Sequence, residues 1–200
     1  FKRRSKRLNI LRNIDDVSII RKIQPINDLS LLFTKISKDN RILKPLKLLM
    51  DDEPELMEEK LNYKQPIGKQ NFNFPYEDRE SDNFPIHNDW AYYKAQNYPK
   101  EIISSVITID DCKPDTGPLH FWPGSHQNHI PHEKTNNGLQ VKNNFINPND
   151  GIDILVPKGS LILFSSLLIH SSRSNTSFRP RRLIINSYLP SSTKMTLDLR

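Results

Sequence analysis

His87 and Asp89 are separated by one residue, His170 lies far downstream, and Arg181 follows His170 by eleven positions. Two imidazoles and a carboxylate are the donor set of the 2-His-1-carboxylate facial triad. That set binds one face of iron(II) and leaves coordination positions open, which is why it marks non-haem iron oxygenases. An arginine near such a metal, but too far to bind it, suits the outer end of a dicarboxylate. Its planar fork can grip a carboxylate through two parallel charge-assisted hydrogen bonds. Taken singly, each residue also has a plain reading: a histidine satisfied in the core or on the surface, a solvated turn arginine. The question is whether the chain can bring the four together.

On a strand, residues i and i+2 share a face, so His87 and Asp89 can reach one metal while Asn88 faces away. His170 closes the apolar run ILVPKGSLILFSSLLIH and is expected to end a strand. Fully extended, the next eleven residues would carry Arg181 about 36 Å away. The Ser, Asn and Pro residues of SSRSNTSFRPRR predict a reversal instead. The following RLIINSYL would then return antiparallel beside the strand that His170 ends, with Arg181 near the metal. Strand parity leaves open which of Arg181 and Arg182 points inward.

Around these residues the chain divides in texture. Residues 1–55 read as a helical segment. Apolar residues recur at Leu8, Leu11, Ile14, Val17 and Ile20, a spacing that fits one helix face over 8–23, interrupted at Asp15 and Asp16. Segments 30–36 and 42–50 are further helical candidates, with Pro45 marking a break or a start. Residues 56–200 read as β-rich. Candidate strands at 60–65, 84–89, 102–109, 119–122, 152–156, 161–169 and 183–189 are separated by turns such as GKQNFN, KPDTGP, PGSH and NPNDG. That is the pattern of an antiparallel sandwich or barrel. The polar stretch 127–150 is too long for a plain connection and is expected to be either a functional loop covering the pocket mouth or a disordered insertion with no role.

Composition removes several function classes. A chain of 200 residues suits one domain with its own core. The single cysteine, Cys112, has no internal partner, which fits a reducing, cytoplasmic setting. No apolar run reaches the ~18 residues of a membrane span. The basic N-terminus is not followed by the apolar core and cleavage site of a secretory signal. The chain opens on Phe1 and not Met, which leaves room for a natural N-terminus upstream. The net charge of +6 is concentrated in FKRRSKR at 1–7, a solvated tail more than a nucleic-acid surface, and the remainder is close to balanced.

Three segments in order, IHNDW, GPLHFWPGSH and KGSLILFSSLLIHSSRSNTSFRPRR, resemble the phytanoyl-CoA dioxygenase family of iron(II)/2-oxoglutarate oxygenases. The upstream KLNYKQP resembles that family's first core strand, so the resemblance covers roughly 60–190. It implies a double-stranded β-helix (jelly roll) with an N-terminal helical layer. It also implies a metal held by His87, Asp89 and His170, with Arg181 and Ser172 on the far carboxylate of 2-oxoglutarate. Among Arg181 and Arg182 the family spacing favours Arg181. Ser171 stands where the family often has glycine, which leaves the ligand set intact. Asp89 sets the chain apart from halogenating relatives, which have Ala or Gly there. His126 of the PGSH turn is given a structural role, while His120, His129 and His132 are left unassigned. Trp90, Tyr92 and Tyr93 either line the substrate side or pack.

The implied reaction consumes O2 and 2-oxoglutarate, giving succinate and carbon dioxide, and hydroxylates a small organic substrate or acyl thioester. Two rivals differ in class. An inactive metal-binding jelly roll would bind metal without consuming 2-oxoglutarate. A nucleic-acid or protein oxygenase would show steeply salt-dependent binding. Neither a membrane nor a nucleic-acid partner is expected, and the sequence sets no oligomeric state.

Overall fold

The computed structural model describes residues 7–12, 18–66, 83–135, 138–142 and 145–193. The basic run at 1–6, the middle of the first predicted helix, and the GKQNFN turn lie outside the described residues. Two antiparallel sheets form the framework. The larger joins β1 (Leu8–Arg12), β2 (Ser18–Ile23), β3 (Pro54–Lys64), β12 (Arg181–Pro190), β5 (Ile103–Thr108) and β10 (Leu161–Ser165), in that order. The smaller joins β4 (Phe84–His87), β11 (His170–Ser172), β6 (Leu119–Phe121) and β9 (Ile152–Asp153). A separate hairpin is made by β7 (His132–Thr135) and β8 (Gly138–Val141). This is the jelly-roll arrangement that the resemblance implied.

Register decides which residues face the interior, because cross-strand partners share a face. Ile185 pairs with Lys60 and Val106, and Leu183 pairs with Asn62 and Thr108. Val106, Leu183 and Ile185 pack with Leu119, Phe121 and Phe164 in one buried cluster that joins the two sheets. The inner face of the large sheet therefore carries Glu58, Lys60, Asn62 and Lys64 on β3. Alternate residues face the other way, where Leu61 and Ile184 meet Ile26, and Tyr188 meets Ile42 and Leu46. That outer layer is built by α1 (Leu31–Ser37) and α2 (Asn40–Met50). Ser30 and Asp39 cap them, their side chains accepting from the Leu32 and Arg41 amides at 3.2 and 2.8 Å.

Several expectations need correction. The helix predicted over 8–23 is absent: its described parts are β1 and β2, paired with each other and, through Lys22 and Ile23, with β3. The segment is rich in β-branched isoleucine, which loses side-chain freedom in a helix, and it covers what would be an open edge of β3. Pro45 neither breaks nor starts α2 but lies inside it. The run 161–169 is not one strand. β10 stops at Ser165, and His170 begins β11 in the opposite sheet. β12 consequently does not return beside the strand before His170, but pairs with β3 and β5 across the sandwich. The stretch 127–150 is no bare loop, since it contains β7 and β8. Among the described residues, no helix is long and apolar enough to cross a membrane.

Candidate active site

β4 ends at His87, and the chain turns at once into α3 (Trp90–Tyr93). Asp89 has helical backbone angles, φ −65° and ψ −33°, so strand alternation is not what pairs it with His87. A strand end and the first turn of a helix do so instead. Asn88, expected to face away from the metal, is fully buried and fixes this turn. Its Oδ1 accepts from the Ala91 amide at 2.9 Å and its Nδ2 donates to the Leu167 carbonyl at 3.3 Å. The Asn88 amide donates to His132 Nε2 at 3.0 Å, and the Trp90 amide donates to the Ser166 carbonyl at 2.9 Å.

His170, the first residue of β11, pairs with His87 on one side and Phe121 on the other. The two imidazole rings lie 4.4 Å apart between centroids. His87 Nδ1 sits 2.7 Å from the Pro85 carbonyl, and His170 Nδ1 sits 3.0 Å from the Leu168 carbonyl. A carbonyl only accepts, so each Nδ1 carries the proton and each Nε2 keeps its lone pair. Those Nε2 atoms lie 3.8 and 3.9 Å from Asp89 Oδ1, and the three ligating groups fall within 4.8 Å of one another. A facial triad holding a first-row metal sets neighbouring ligand atoms roughly 3 Å apart. Small side-chain movements close that difference, so the donor set fits iron(II).

Charge supports the same reading. Burial, reinforced by His170, pushes the His87 imidazole down to about 3, leaving it neutral as a ligand must be. Burial opposes ionisation of Asp89, but His170, Lys60, His87 and the Ser104 hydroxyl outweigh it and hold the carboxyl below its usual range. The Ser104 contact begins a polar chain. Ser104 Oγ lies 3.0 Å from Ser187 Oγ, which lies 3.3 Å from the Tyr93 hydroxyl. Tyr93 donates to Glu58 Oε1 at 2.7 Å, and the Lys60 ammonium donates to the same oxygen at 2.6 Å. Burial, with the carboxylates of Asp89 and Glu58, raises the Tyr93 phenol well above its usual value, so it stays a donor.

Arg181 and Arg182 separate cleanly. Arg181 is 2% exposed and donates from Nε and Nη2 to the Gly117 carbonyl at 3.1 and 2.7 Å. Arg182 points outward and forms a bidentate pair with Asp110 at 2.8 and 2.7 Å. Ser172 is buried two residues along β11 from His170 and pairs with Phe84 and Leu119. Lys64, the cross-strand partner of Arg181, is buried with its ammonium 5.3 Å from the Phe84 ring centre. The PGSH turn fixes the approach to His170, since Ser125 Oγ accepts from the Ile169 amide at 2.9 Å. His120 Nδ1 lies 2.6 Å from Asp153 Oδ1, next to Arg173, and ties β6 to β9. Sequence reading missed His132, Ser104, Glu58, Lys60 and Lys64. Only the alternation of charge within EEKLNYK hinted at the last three.

The family description Phytanoyl-CoA dioxygenase (PhyH) matches residues 20–183. The chain belongs to this family. Ectoine dioxygenase of Halomonas elongata is 22% identical over 180 residues, covering 81% of this chain and 51% of the relative. Methylphosphonate hydroxylase of Gimesia maris is 26% identical over 140 residues, covering 70% and 47%. The chain thus spans about half the length of the curated relatives it matches. Its fold matches the crystal structure of EctD from S. alaskensis with 2-oxoglutarate and 5-hydroxyectoine. The TM-score is 0.68 at 21% identity, covering 88% of this chain and 58% of that one. The same protein with bound Fe gives a TM-score of 0.71 at 19% identity, covering 96% and 63%.

Proposed function

We propose that this family member is an iron(II)/2-oxoglutarate-dependent dioxygenase that hydroxylates a small organic substrate or acyl thioester. The observation that carries the reading is the convergence of His87 Nε2, Asp89 and His170 Nε2 within 4.8 Å, with both Nδ1 protons committed to backbone carbonyls. These three would hold iron(II) on one face. When bound, the metal would supply the activation of O2 that couples decarboxylation of 2-oxoglutarate to hydroxylation of the substrate.

The chain's own part is binding, orientation and exclusion of water. Arg181 and Ser172 are the candidate partners of the distal carboxylate. Ser172 lies on the same face as His170, one strand repeat away, about the reach of a five-carbon dicarboxylate. Gly117 aims the guanidinium by accepting two of its N–H groups, and Phe121 and Phe164 pack their rings 6.3 and 5.0 Å from that of His170, keeping one side of it dry. The lone Cys112 is buried, in keeping with a reducing, cytoplasmic setting. A single domain over 1–200 is part of the proposal, because β1 and β2 extend the sheet that carries Arg181.

The test is anaerobic titration with iron(II), then with 2-oxoglutarate, followed by succinate formation in air. His170→Ala and Asp89→Ala should abolish metal binding. Arg181→Lys keeps the charge but loses the fork, so 2-oxoglutarate affinity should fall about tenfold or more while metal binding persists. Unchanged 2-oxoglutarate affinity in Arg181→Ala would refute the assignment.

A further inference from the structure

On the inner face of the large sheet, beside the candidate metal site, sits a charged group that binding of metal and co-substrate does not use. Lys22 on β2 pairs in register with Asn62 on β3, which pairs with Leu183 on β12. It therefore faces the interior with Lys60 and Glu58. Lys60 and Glu58 form an ion pair at 2.6 Å with side chains only 14% and 20% exposed. Glu58 is well engaged: Oε1 accepts from Lys60 and Tyr93, and Oε2 accepts from Gln24 Nε2 at 2.9 Å. Lys60 has given one N–H to Glu58 and keeps two. Lys22 is half-buried, and among the described residues no carboxylate lies within ion-pair distance of it. Two ammonium groups thus face one carboxylate that already accepts three hydrogen bonds. Burial, then the charge of Lys60, lower the Lys22 ammonium, as expected of a cation waiting for an anion. Burial opposes the charge on Lys60, but Glu58 and Asp89 outweigh it and keep that ammonium protonated. The hydrogen-bond chain from Ser104, which bonds Asp89, through Ser187 and Tyr93 to Glu58 connects Lys60 to the reacting centre.

We propose that Lys22 and Lys60 are the subsite for an acidic group on the primary substrate, so that the enzyme hydroxylates a small carboxylate, phosphonate or phosphate. Glu58 acts as a positioning residue: with Gln24 and Tyr93 it holds the Lys60 ammonium at the inner face. The location fits entry of a substrate. β2 lies two strands from β12 toward the β1 edge of the sheet, away from Arg181, so the acidic group would not displace 2-oxoglutarate. A cationic substrate is disfavoured, because among the described residues the carboxylate of the group, Glu58, already accepts three hydrogen bonds.

The inference rests on the iron and 2-oxoglutarate reading, and the experiment separates the two. Protein is loaded with Mn(II), a redox-silent stand-in for iron(II), and saturating 2-oxoglutarate, which occupies Arg181. It is then titrated calorimetrically with inorganic phosphate, with acetate, and with tetramethylammonium. Failure to take up Mn(II) and 2-oxoglutarate sinks the functional reading itself. With both bound, phosphate or acetate should bind and tetramethylammonium should not. Lys22→Gln and Lys60→Gln should each weaken the anion about tenfold, and Lys22→Arg should restore most of the affinity. Among the described residues Lys22 has no hydrogen-bond or ion-pair partner, so Lys22→Gln keeps the test valid even where Lys60→Gln misfolds. Absence of anion binding to the loaded protein, or binding unchanged in Lys22→Gln, overturns the proposal, as does a preference for tetramethylammonium.

Discussion

Gly117 ties one backbone atom to Arg181, the residue proposed to hold the co-substrate. Its φ of +67° lies in the left-handed region, and a Cβ there would collide with the Arg173 carbonyl oxygen and the Lys64 stem. A side chain is compatible with neither that angle nor that close approach. Its carbonyl also receives two N–H groups of Arg181. Gly117→Ala should therefore destabilise the fold by about 2 kcal/mol or more, through strain and the collision together. Among molecules that still fold, 2-oxoglutarate affinity should fall while metal affinity stays near the parent, because the metal ligands are on other strands. Thermal melts and separate Mn(II) and 2-oxoglutarate titrations check this. Equal losses for metal and co-substrate would mean that Gly117 serves only the general fold.

The hairpin of β7 and β8 acts on the ligand turn from outside. His132 Nδ1 donates to the Ile130 carbonyl at 2.7 Å, which leaves Nε2 to accept from the Asn88 amide between the two ligands. Tyr92 closes the other side, its hydroxyl accepting from the Leu139 amide at 2.8 Å. His132→Phe keeps the ring's bulk but strands the Asn88 amide, at a cost of about 1–3 kcal/mol. Outer residues of this kind typically tune metal affinity about 10–100-fold, so weaker Mn(II) binding is expected by calorimetry. Parent-level metal affinity in that variant would confine the hairpin to a packing role. Nothing in the local sequence marks His132, since its partner is 44 residues away. The legible parts were those with local chemistry: the two helical segments over 30–36 and 42–50, the KPDTGP and PGSH turns, the short β-branched strands. The illegible parts depend on distant pairing. The period of three from Leu8 to Ile20 mimics a helix face, and only the open edge of β3 selects strands there. The apolar run through Ile169 hides a change of sheet at 166–169, where Ser166 accepts from and donates to neighbours outside the run. Arg181 did reach the interior, although by crossing the sandwich and not by the hairpin its turn residues suggested.

At the scale of the molecule, the candidate site is shared between the two sheets. His87 and His170 come from β4 and β11 of the smaller sheet, whereas Arg181 comes from β12 of the larger one. Metal bound by His87, Asp89 and His170 would tie the small sheet to the start of α3. 2-Oxoglutarate, held by that metal at one end and Arg181 at the other, would bridge the sheets across their shared core. Ligands that bind only the folded state stabilise it by mass action, about 2.7 kcal/mol at a hundredfold excess over Kd. For a chain of this size that corresponds to a rise in Tm of roughly 5–10 °C. Mn(II) alone should give one increment, and 2-oxoglutarate should add a second only when Mn(II) is present. In Asp89→Ala both should vanish; in Arg181→Ala the first should survive and the second shrink. Differential scanning calorimetry of the four combinations reads this directly. A second increment of full size in Arg181→Ala would show that the co-substrate does not span the sheets, and the far end of the site would have to be sought elsewhere.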